Sequence, residues 1–298
     1  MGPNRIRCSS RQLTRLSSNL LHKYFMDKSG TKITKQSLDQ IKIIVPIEGN
    51  KILEEVVNRI NKNDEIKVLW KIININATDR LGYSDHGPTH FKIVANYALQ
   101  ISRILHDAGV EMSIIHDFGL TYEHAEVVIF LASILHDLGM SIHRVNHEQF
   151  SLFIARDFLS QILSFLPVEE RMVVESESLH AIISHSHGSA GVTSTIEGGI
   201  VRVADALDMT TGRSRISYNK GLLIDIENVS NHAIVSVDVR KGTKKPVEIV
   251  IVMTNPAGIF QIDDLVEEKL GPAKLEKYIE VKAMMREGSN ESVFKEFK

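Results

Sequence analysis

At 298 residues, the chain is long enough to bury one large core or a core with an appended unit. With 43% hydrophobic and 24% charged residues it has the composition of a globular protein, and its net charge of -2 gives no strong signal for nucleic acid. The single cysteine, Cys8, excludes an internal disulfide framework and a zinc site built from cysteines, so we expect a cytoplasmic location.

The first 75 residues are interpreted as a helical segment packed on the rest of the protein. Residues 1–26 contain five basic side chains and no acidic one. The leucines of LTRLSSNLLHKYF (13–25) recur at helical intervals, which predicts a basic amphipathic helix. An organelle transit peptide shares this charge bias, but no small-residue cleavage pattern follows it.

Five helices are predicted within a domain that covers residues 76–215. The predicted helices are 91–108, 122–141, 147–164, 170–186 and 195–209. The apolar run at 127–135 is about half as long as the ~20 residues that span a bilayer, so we expect a buried core helix and no membrane. Eleven of the thirteen histidines lie between His86 and His187, which places the chemistry in this domain.

After Gly212 the hydrophobic period changes from helical to strand-like. Segments 222–227, 232–240 and 246–254 alternate or are rich in β-branched residues, and turn-forming compositions separate them. A helix at about 261–270 and a mixed segment through KYIEVKAMM follow. The predicted fold is therefore mainly α, a helical bundle with a small C-terminal α+β subdomain of three or four strands at 216–298.

The first chemical motif is DHGPTHF at 85–91. Pro88 suits the first turn of a helix, and His86 and His90, four residues apart, then share one helix face. Two imidazoles on one face can bind one metal ion or two neighbouring ions. Helix capping beside a solvated histidine is the alternative interpretation.

The second motif, His136-Asp137, ends a helix that is apolar almost all round. An ionised carboxylate in such a setting is costly unless a cation or hydrogen-bond donors compensate it. A metal ion bound by the imidazole and one carboxylate oxygen supplies that compensation, and the second oxygen can reach another ion. An aspartate paired with an arginine, beside a core histidine, is the alternative.

Further histidines and aspartates follow in the same helical region. They are His143 and His147, four residues apart, His180, His185 and His187 in SLHAIISHSHG, and Asp205 and Asp208 in VRVADALDM. Together the motifs place imidazoles and carboxylates on at least four helices of one bundle. This arrangement predicts a metal site inside the helical core.

The ordered set, from a histidine through His-Asp and further histidines to the aspartate of ADALD, resembles the HD superfamily of metal-dependent phosphohydrolases over residues 80–212. It looks most similar to the bimetal branch, which includes the HD-GYP phosphodiesterases and archaeal HD hydrolases. The resemblance implies two metal ions bridged by Asp137. The implied ligands are His90, His136, Asp137 and Asp205 for the first ion and His147 and His185 for the second, with His86 and either His187 or His180 as additions.

Two elements of the HD-GYP proteins are absent from this sequence. Met140 stands where those proteins carry a lysine that contacts phosphate, and the Gly-Tyr-Pro element is missing. Cyclic di-guanylate is therefore not an expected substrate.

The ligand types indicate metal-assisted phosphoester hydrolysis. Mixed imidazole and carboxylate ligands suit one or two ions of Mn, Fe, Co, Ni or Zn better than a pure Mg site. Two divalent ions ~4 Å apart lower the pKa of a shared water, orient it for in-line attack and neutralise phosphoryl charge. We therefore expect a metal-dependent phosphohydrolase with Asp137 at its catalytic centre.

Basic residues near the motifs are candidates for binding the phosphate. Arg213 and Arg215, in the loop after the Asp205 helix, are the preferred pair, and His187 is a further candidate substrate contact. Arg144 is a candidate catalytic cation, and His143 is a candidate proton donor to the leaving group. Solvated surface positions are the alternative for the arginines and for His143.

The leading hypothesis is hydrolysis of a small phosphorylated substrate, a nucleotide or a related phosphomonoester. A phosphodiesterase of cyclic or short oligonucleotides uses the same chemistry. A catalytically inactive nucleotide-binding regulator keeps the site without turnover, and a structural protein with an incidental histidine-rich core binds no metal. A homo-oligomer is compatible with each of these interpretations.

Overall fold

The computed structural model describes the chain over residues 33–186, 193–210 and 233–297. The predicted basic helix within 1–26 and the predicted strand at 222–227 lie outside these ranges. The chain divides into two compact units, Met1–Gln40 and Ile41–Lys298. In the first unit the described part contains a short helix, α1 (Lys35–Asp39), which begins with a capping box.

The larger unit is mainly helical. Its helices before the sheet are α2 (Lys51–Lys62), α3 (Asp64–Asn74), α4 (Pro88–Asp107), α5 (Ser113–Phe118), α6 (Tyr122–Leu135), α7 (His147–Ile162), α8 (Val168–Ile183) and α9 (Ile196–Ala206). Residues 41–75 of the predicted N-terminal segment belong to this unit. Helix α6 lies at its centre and contacts α2, α4, α8 and α9.

Helix α6 is apolar because other helices surround it on all sides. All of its residues from His124 to Leu135 are buried. Within the described residues, one segment, Tyr122–Ser141, is long and apolar enough to cross a bilayer, and 94% of its apolar window is buried inside the protein. A helix without a solvent face is apolar all round, so the prediction of a core helix is confirmed.

The predicted helix 122–141 is interrupted after Leu135, which the sequence pattern did not show. A 3-10 turn, Leu138–Ser141, replaces its last part. A Cβ added to Gly139 would lie 2.0 Å from the His147 carbonyl oxygen, so α7 approaches the Gly139 backbone closely. Ser151 Oγ donates to the His136 carbonyl and accepts from the Gly139 N–H, which satisfies the backbone groups released by the break.

A four-stranded sheet follows, in the order β1-β2-β3-β4. The strands are β1 (Ile234–Lys241), β2 (Val247–Met253), β3 (Ile279–Glu287) and β4 (Asn290–Phe297). The outer pairs are antiparallel and β2 pairs with β3 in parallel. Parallel pairing needs a crossover, which contains helix α10 (Ile259–Asp264) and a π-helical turn, Leu265–Leu270.

The sheet and the helices share one hydrophobic core within the larger unit. Helix α4 meets β1 directly, where the Tyr97 hydroxyl donates to the Val237 carbonyl at 3.1 Å and Gln100 Nε2 donates to the Val239 carbonyl at 2.6 Å. The predicted fold class, mainly α with a small C-terminal α+β part, is confirmed. The shared core brings the crossover close enough to contribute to a site on the helices.

Glu177 on α8 is an acidic side chain in an unfavourable setting. Its Oε2 is buried and has no hydrogen-bond partner among the described residues. Burial, together with the charges of Glu197 and Asp117, raises the pKa of Glu177 to about 6. The folded state therefore binds this proton more tightly than the unfolded chain, and stability falls as pH rises from about 4.5 to about 6.

We expect Glu177→Gln to be more stable than the wild type at pH 7 by up to about 1 kcal/mol, after allowance for solvent screening. At pH 4, where the carboxyl is protonated in both states, the difference should disappear. Urea unfolding at the two pH values measures it. Glu169→Gln, at an exposed position in the first turn of the same helix, is the control and should show no gain. Equal stability of Glu177→Gln and wild type at pH 7 would contradict the expectation.

Candidate metal centre

Four of the predicted ligands meet beside the end of α6. His90 and His136 have their Nε2 atoms 3.3 Å apart. Asp205 Oδ1 lies 3.4 Å from the Nε2 of His90 and 3.7 Å from that of His136. Asp137 Oδ2 lies 3.4 Å from His136 Nε2 and 3.9 Å from His90 Nε2. The atoms converge at separations that a shared ion can bridge.

The second oxygen of Asp137 faces a different pair of histidines. Asp137 Oδ1 is 3.1 Å from His147 Nε2 and 3.7 Å from His185 Nε2. One carboxylate therefore separates two sets of imidazoles, which is the geometry that a ligand shared by two ions requires. We call these six residues the ligand cluster: His90, His136, Asp137, His147, His185 and Asp205.

The rings of the cluster histidines are each oriented by a hydrogen bond at Nδ1. With Nδ1 carrying the proton, three of them donate to the backbone carbonyl three residues earlier. These bonds join His136 to Ser133 at 3.0 Å, His147 to Arg144 at 3.0 Å and His185 to Ile182 at 2.6 Å. The fourth, His90, donates instead to Asp208 Oδ2 at 2.7 Å. Each bond leaves Nε2 as the ligand atom and fixes the ring toward the cluster.

The charges of the cluster fit a divalent cation. The Asp137 side chain is 4% exposed, and its Oδ2 has no hydrogen-bond partner among the described residues. Burial alone would raise the pKa of Asp137, but His136 and His147 hold it well below its usual range, so the carboxylate is ionised. Burial lowers the pKa of His185 and keeps that imidazole neutral, the form that binds metal. A divalent ion would compensate the buried Oδ2, which has no hydrogen-bond partner among the described residues and lies beside inward-facing imidazoles.

The ligand cluster opens into a pocket of about 610 Å³. Asp137, His147, His185 and Asp205 reach its wall from the cluster, and Arg144 and Lys269 add positive charge. The pocket therefore exposes cluster residues and two basic side chains to the same space.

Two other predicted site residues lie at the wall of the pocket. His86 donates from Nδ1 to the Ser84 carbonyl at 2.8 Å, and its ring centre is 5.5 Å from that of His90. It lies beside the cluster but in none of the metal-binding groups found among the described residues. Arg144 lies near Tyr83, with its guanidinium carbon 5.6 Å from the centre of the ring.

His143 is not brought into the pocket. The sequence suggested that His143 and His147 share a helix face, but α7 begins at His147, after Asn146 in a left-handed conformation with φ 61°. His143 precedes that turn, is exposed, and accepts from the Val145 N–H at 3.1 Å. This exposed placement agrees with the surface alternative.

The remaining candidates lie elsewhere or outside the described residues. His180 accepts from the Ser194 hydroxyl at 2.9 Å and is not part of the ligand cluster. Outside the described ranges are His187, Arg213 and Arg215.

Three residues with clear roles at the site were not assigned from the sequence. Asp208 follows Asp205 by three residues in the sequence, but its bond to His90 depends on the packing of α9 against α4. Ser151 looks like an ordinary helical serine until the break after α6 is known. Lys269 lies in VEEKL, a charged stretch typical of a solvated surface, and no local signal distinguishes it.

Asp208→Asn is expected to weaken Mn²⁺ binding by about 10- to 100-fold, because the partner that orients His90 and raises its basicity loses its charge. Isothermal titration calorimetry on the metal-stripped protein measures the affinity. Asp238→Asn, at an exposed position on β1, serves as the control and should bind as the wild type does. Unchanged Mn²⁺ affinity in Asp208→Asn would remove the orienting role.

Comparison with known proteins agrees with this geometry. The model of the HD domain family matches residues 89–210. The uncharacterized protein MJ1020 of Methanocaldococcus jannaschii is 41% identical over 229 residues, which cover 76% of this chain and 87% of that protein. No solved structure matched significantly. HD domains bind divalent metals, and the ligand cluster lies within the matched residues. The chain therefore belongs to the HD domain family, whose members are in general metal-dependent hydrolases.

Proposed function

We propose that this protein hydrolyses a small phosphomonoester, a nucleotide or a related compound, with water activated at two divalent ions. One observation carries the proposal: the two carboxylate oxygens of Asp137 face two different sets of histidines. A ligand shared in this way suits two adjacent ions, and adjacent ions suit phosphoryl transfer. The bimetal arrangement is therefore part of the proposal.

Each part of the pocket has a task in this reaction. When bound, the ions activate a water molecule and neutralise charge on the phosphoryl oxygens. Asp137 and Asp205 hold the negative charge that attracts the ions. With their Nδ1 protons donated to backbone carbonyls, the histidines would present their Nε2 atoms to the ions. Arg144 at the pocket wall offers a planar, permanently charged donor to a phosphate oxygen.

The size and rim of the pocket favour a small substrate with a ring. A volume of about 610 Å³ lies in the range of sites that enclose small molecules. Tyr83 is 47% exposed beside Arg144, so an aromatic face is accessible next to a cation that can hold a phosphate. Stacking of a base on such a face is favourable and tolerant of the identity of the base.

The proposal is tested with the full-length protein, stripped of metal and supplied with Mn²⁺ or Ni²⁺. Phosphate release is measured on a panel of nucleoside monophosphates and other monoesters, and product formation on cyclic and linear diesters. We expect turnover of monoesters, dependent on added metal and abolished in the double variant His136→Ala, Asp137→Ala.

Three outcomes would contradict the proposal. Turnover of diesters alone would make the protein a phosphodiesterase. Tight binding of nucleotides without turnover under any metal would make it a regulator. Full phosphate release by the double variant would separate the activity from the ligand cluster.

A further inference from the structure

Lys269 is a buried lysine whose environment the proposed reaction has not yet used. It lies in the π-helical turn Leu265–Leu270 of the crossover and is 9% exposed. Its Nζ donates to Asp205 Oδ2 and to the His185 carbonyl, each at 3.1 Å. One ammonium group from the crossover thus forms hydrogen bonds with two residues of the ligand cluster.

The two bonds leave one donor of the ammonium group unused. A lysine has three N–H donors, and the described residues supply acceptors for two of them. Lys269 also forms part of the pocket wall. The third N–H is therefore available to a ligand in the pocket, and an anionic oxygen is the acceptor that a charged ammonium binds most strongly.

The backbone around Lys269 is held in place by hydrogen bonds that Lys269 itself does not make. Arg202 donates from Nη1 to the Ser184 carbonyl at 2.9 Å and from Nη2 to the Glu268 carbonyl at 3.0 Å. These bonds tie the residue before His185 to the residue before Lys269. The crossover therefore stays attached to the helices when the charge of Lys269 is removed, which makes a substitution at this position informative.

The two oxygens of Asp205 face different groups. Asp205 Oδ1 faces the histidines while Oδ2 faces Lys269. A phosphate bound by metal ions on the Oδ1 side would therefore lie about the width of one carboxylate from the Lys269 ammonium group.

We propose that Lys269 binds a phosphate oxygen of the substrate through its third N–H, so that the C-terminal crossover completes the phosphate site of the helical domain. This inference rests on the proposed function for its substrate class. The binding of inorganic phosphate, however, reports on Lys269 whether or not the protein turns over an ester.

The test compares Lys269→Gln with the wild type, both loaded with Mn²⁺. Glutamine keeps a donor for Asp205 and the His185 carbonyl and removes the charge. We expect inorganic phosphate to bind about 10- to 100-fold more weakly, and KM for a monoester to rise more than kcat falls. Mn²⁺ affinity should not fall, because a neutral amide repels a divalent cation less than an ammonium does. Lys269→Arg should restore much of the phosphate affinity.

A purely structural lysine gives the opposite result: Mn²⁺ affinity and thermal stability fall while phosphate affinity is kept, and that result overturns the inference. Lys295→Met, which breaks the exposed pair with Asp263 in the same part of the chain, is the control and should leave both affinities unchanged.

If Lys269→Gln does not fold, a crystal structure of the wild type with bound phosphate tests the inference instead. Lys269 Nζ within hydrogen-bonding distance of a phosphate oxygen supports the inference, and a phosphate bound in the pocket away from it refutes it.

A protein that hydrolyses no ester but binds phosphate through Lys269 would retain the inference and lose the proposed function. Normal turnover in Lys269→Gln, with unchanged KM and unchanged phosphate affinity, would retain the proposed function and refute the inference about Lys269. The two proposals can therefore fail separately.

Discussion

Asp137→Asn is expected to lower metal-dependent phosphate release by roughly a thousandfold, since a loss of about 4 kcal/mol of transition-state stabilisation corresponds to that factor. The amide keeps the shape of the side chain but removes the charge that both sets of histidines face. Metal content by elemental analysis should fall with the activity. Steady-state kinetics with added Mn²⁺ provide the measurement.

The stability of the metal-free protein distinguishes this loss from unfolding. A variant that still unfolds in one cooperative thermal transition without metal has kept the fold and lost only the bridging charge. Asp157→Asn, at an exposed position on α7, is the matched control for both measurements. Wild-type activity in Asp137→Asn would show that the bridging carboxylate is not needed.

Gly139→Ala is expected to destabilise the protein by at least about 3 kcal/mol. The added Cβ would lie 2.0 Å from the His147 carbonyl oxygen and 2.6 Å from the Ser151 backbone nitrogen. Both contacts are with backbone atoms, so no side-chain rotation can relieve them. Helix α7 must move, and the position of His147 in the ligand cluster moves with it. Urea unfolding monitored by circular dichroism measures the loss of stability.

Gly271→Ala is the control for the same chemical change. There the nearest atom to an added Cβ is 3.4 Å away, which is ordinary contact, and the backbone conformation is right-handed helical. This variant should be as stable as the wild type or slightly more stable. Equal stability of Gly139→Ala and Gly271→Ala would show that the close approach of α7 is not a constraint.

The amino-acid sequence by itself determined the fold class and the identity of the cluster residues. Hydrophobic period distinguishes helix from strand because the core removes every third or fourth residue of a helix, and alternate residues of a strand, from water. The full ligand set followed from the resemblance to the HD superfamily, and the His-Asp pair within it was predictable for a related physical reason. Imidazoles and ionised carboxylates are costly in an apolar helix such as α6, so their presence at 136 and 137 already required a compensating partner.

The tertiary structure decided where those side chains point and what completes the pocket. The break after Leu135 depends on the contact of Gly139 with α7, two segments that a helical period treats as independent. The exposure of His143 follows from the late start of α7. Asp208 lies 118 residues along the chain from its partner His90, and Lys269 lies 64 residues from its partner Asp205. Such contacts depend on how helices and crossover pack, and packing is a property of the whole core that no local pattern contains.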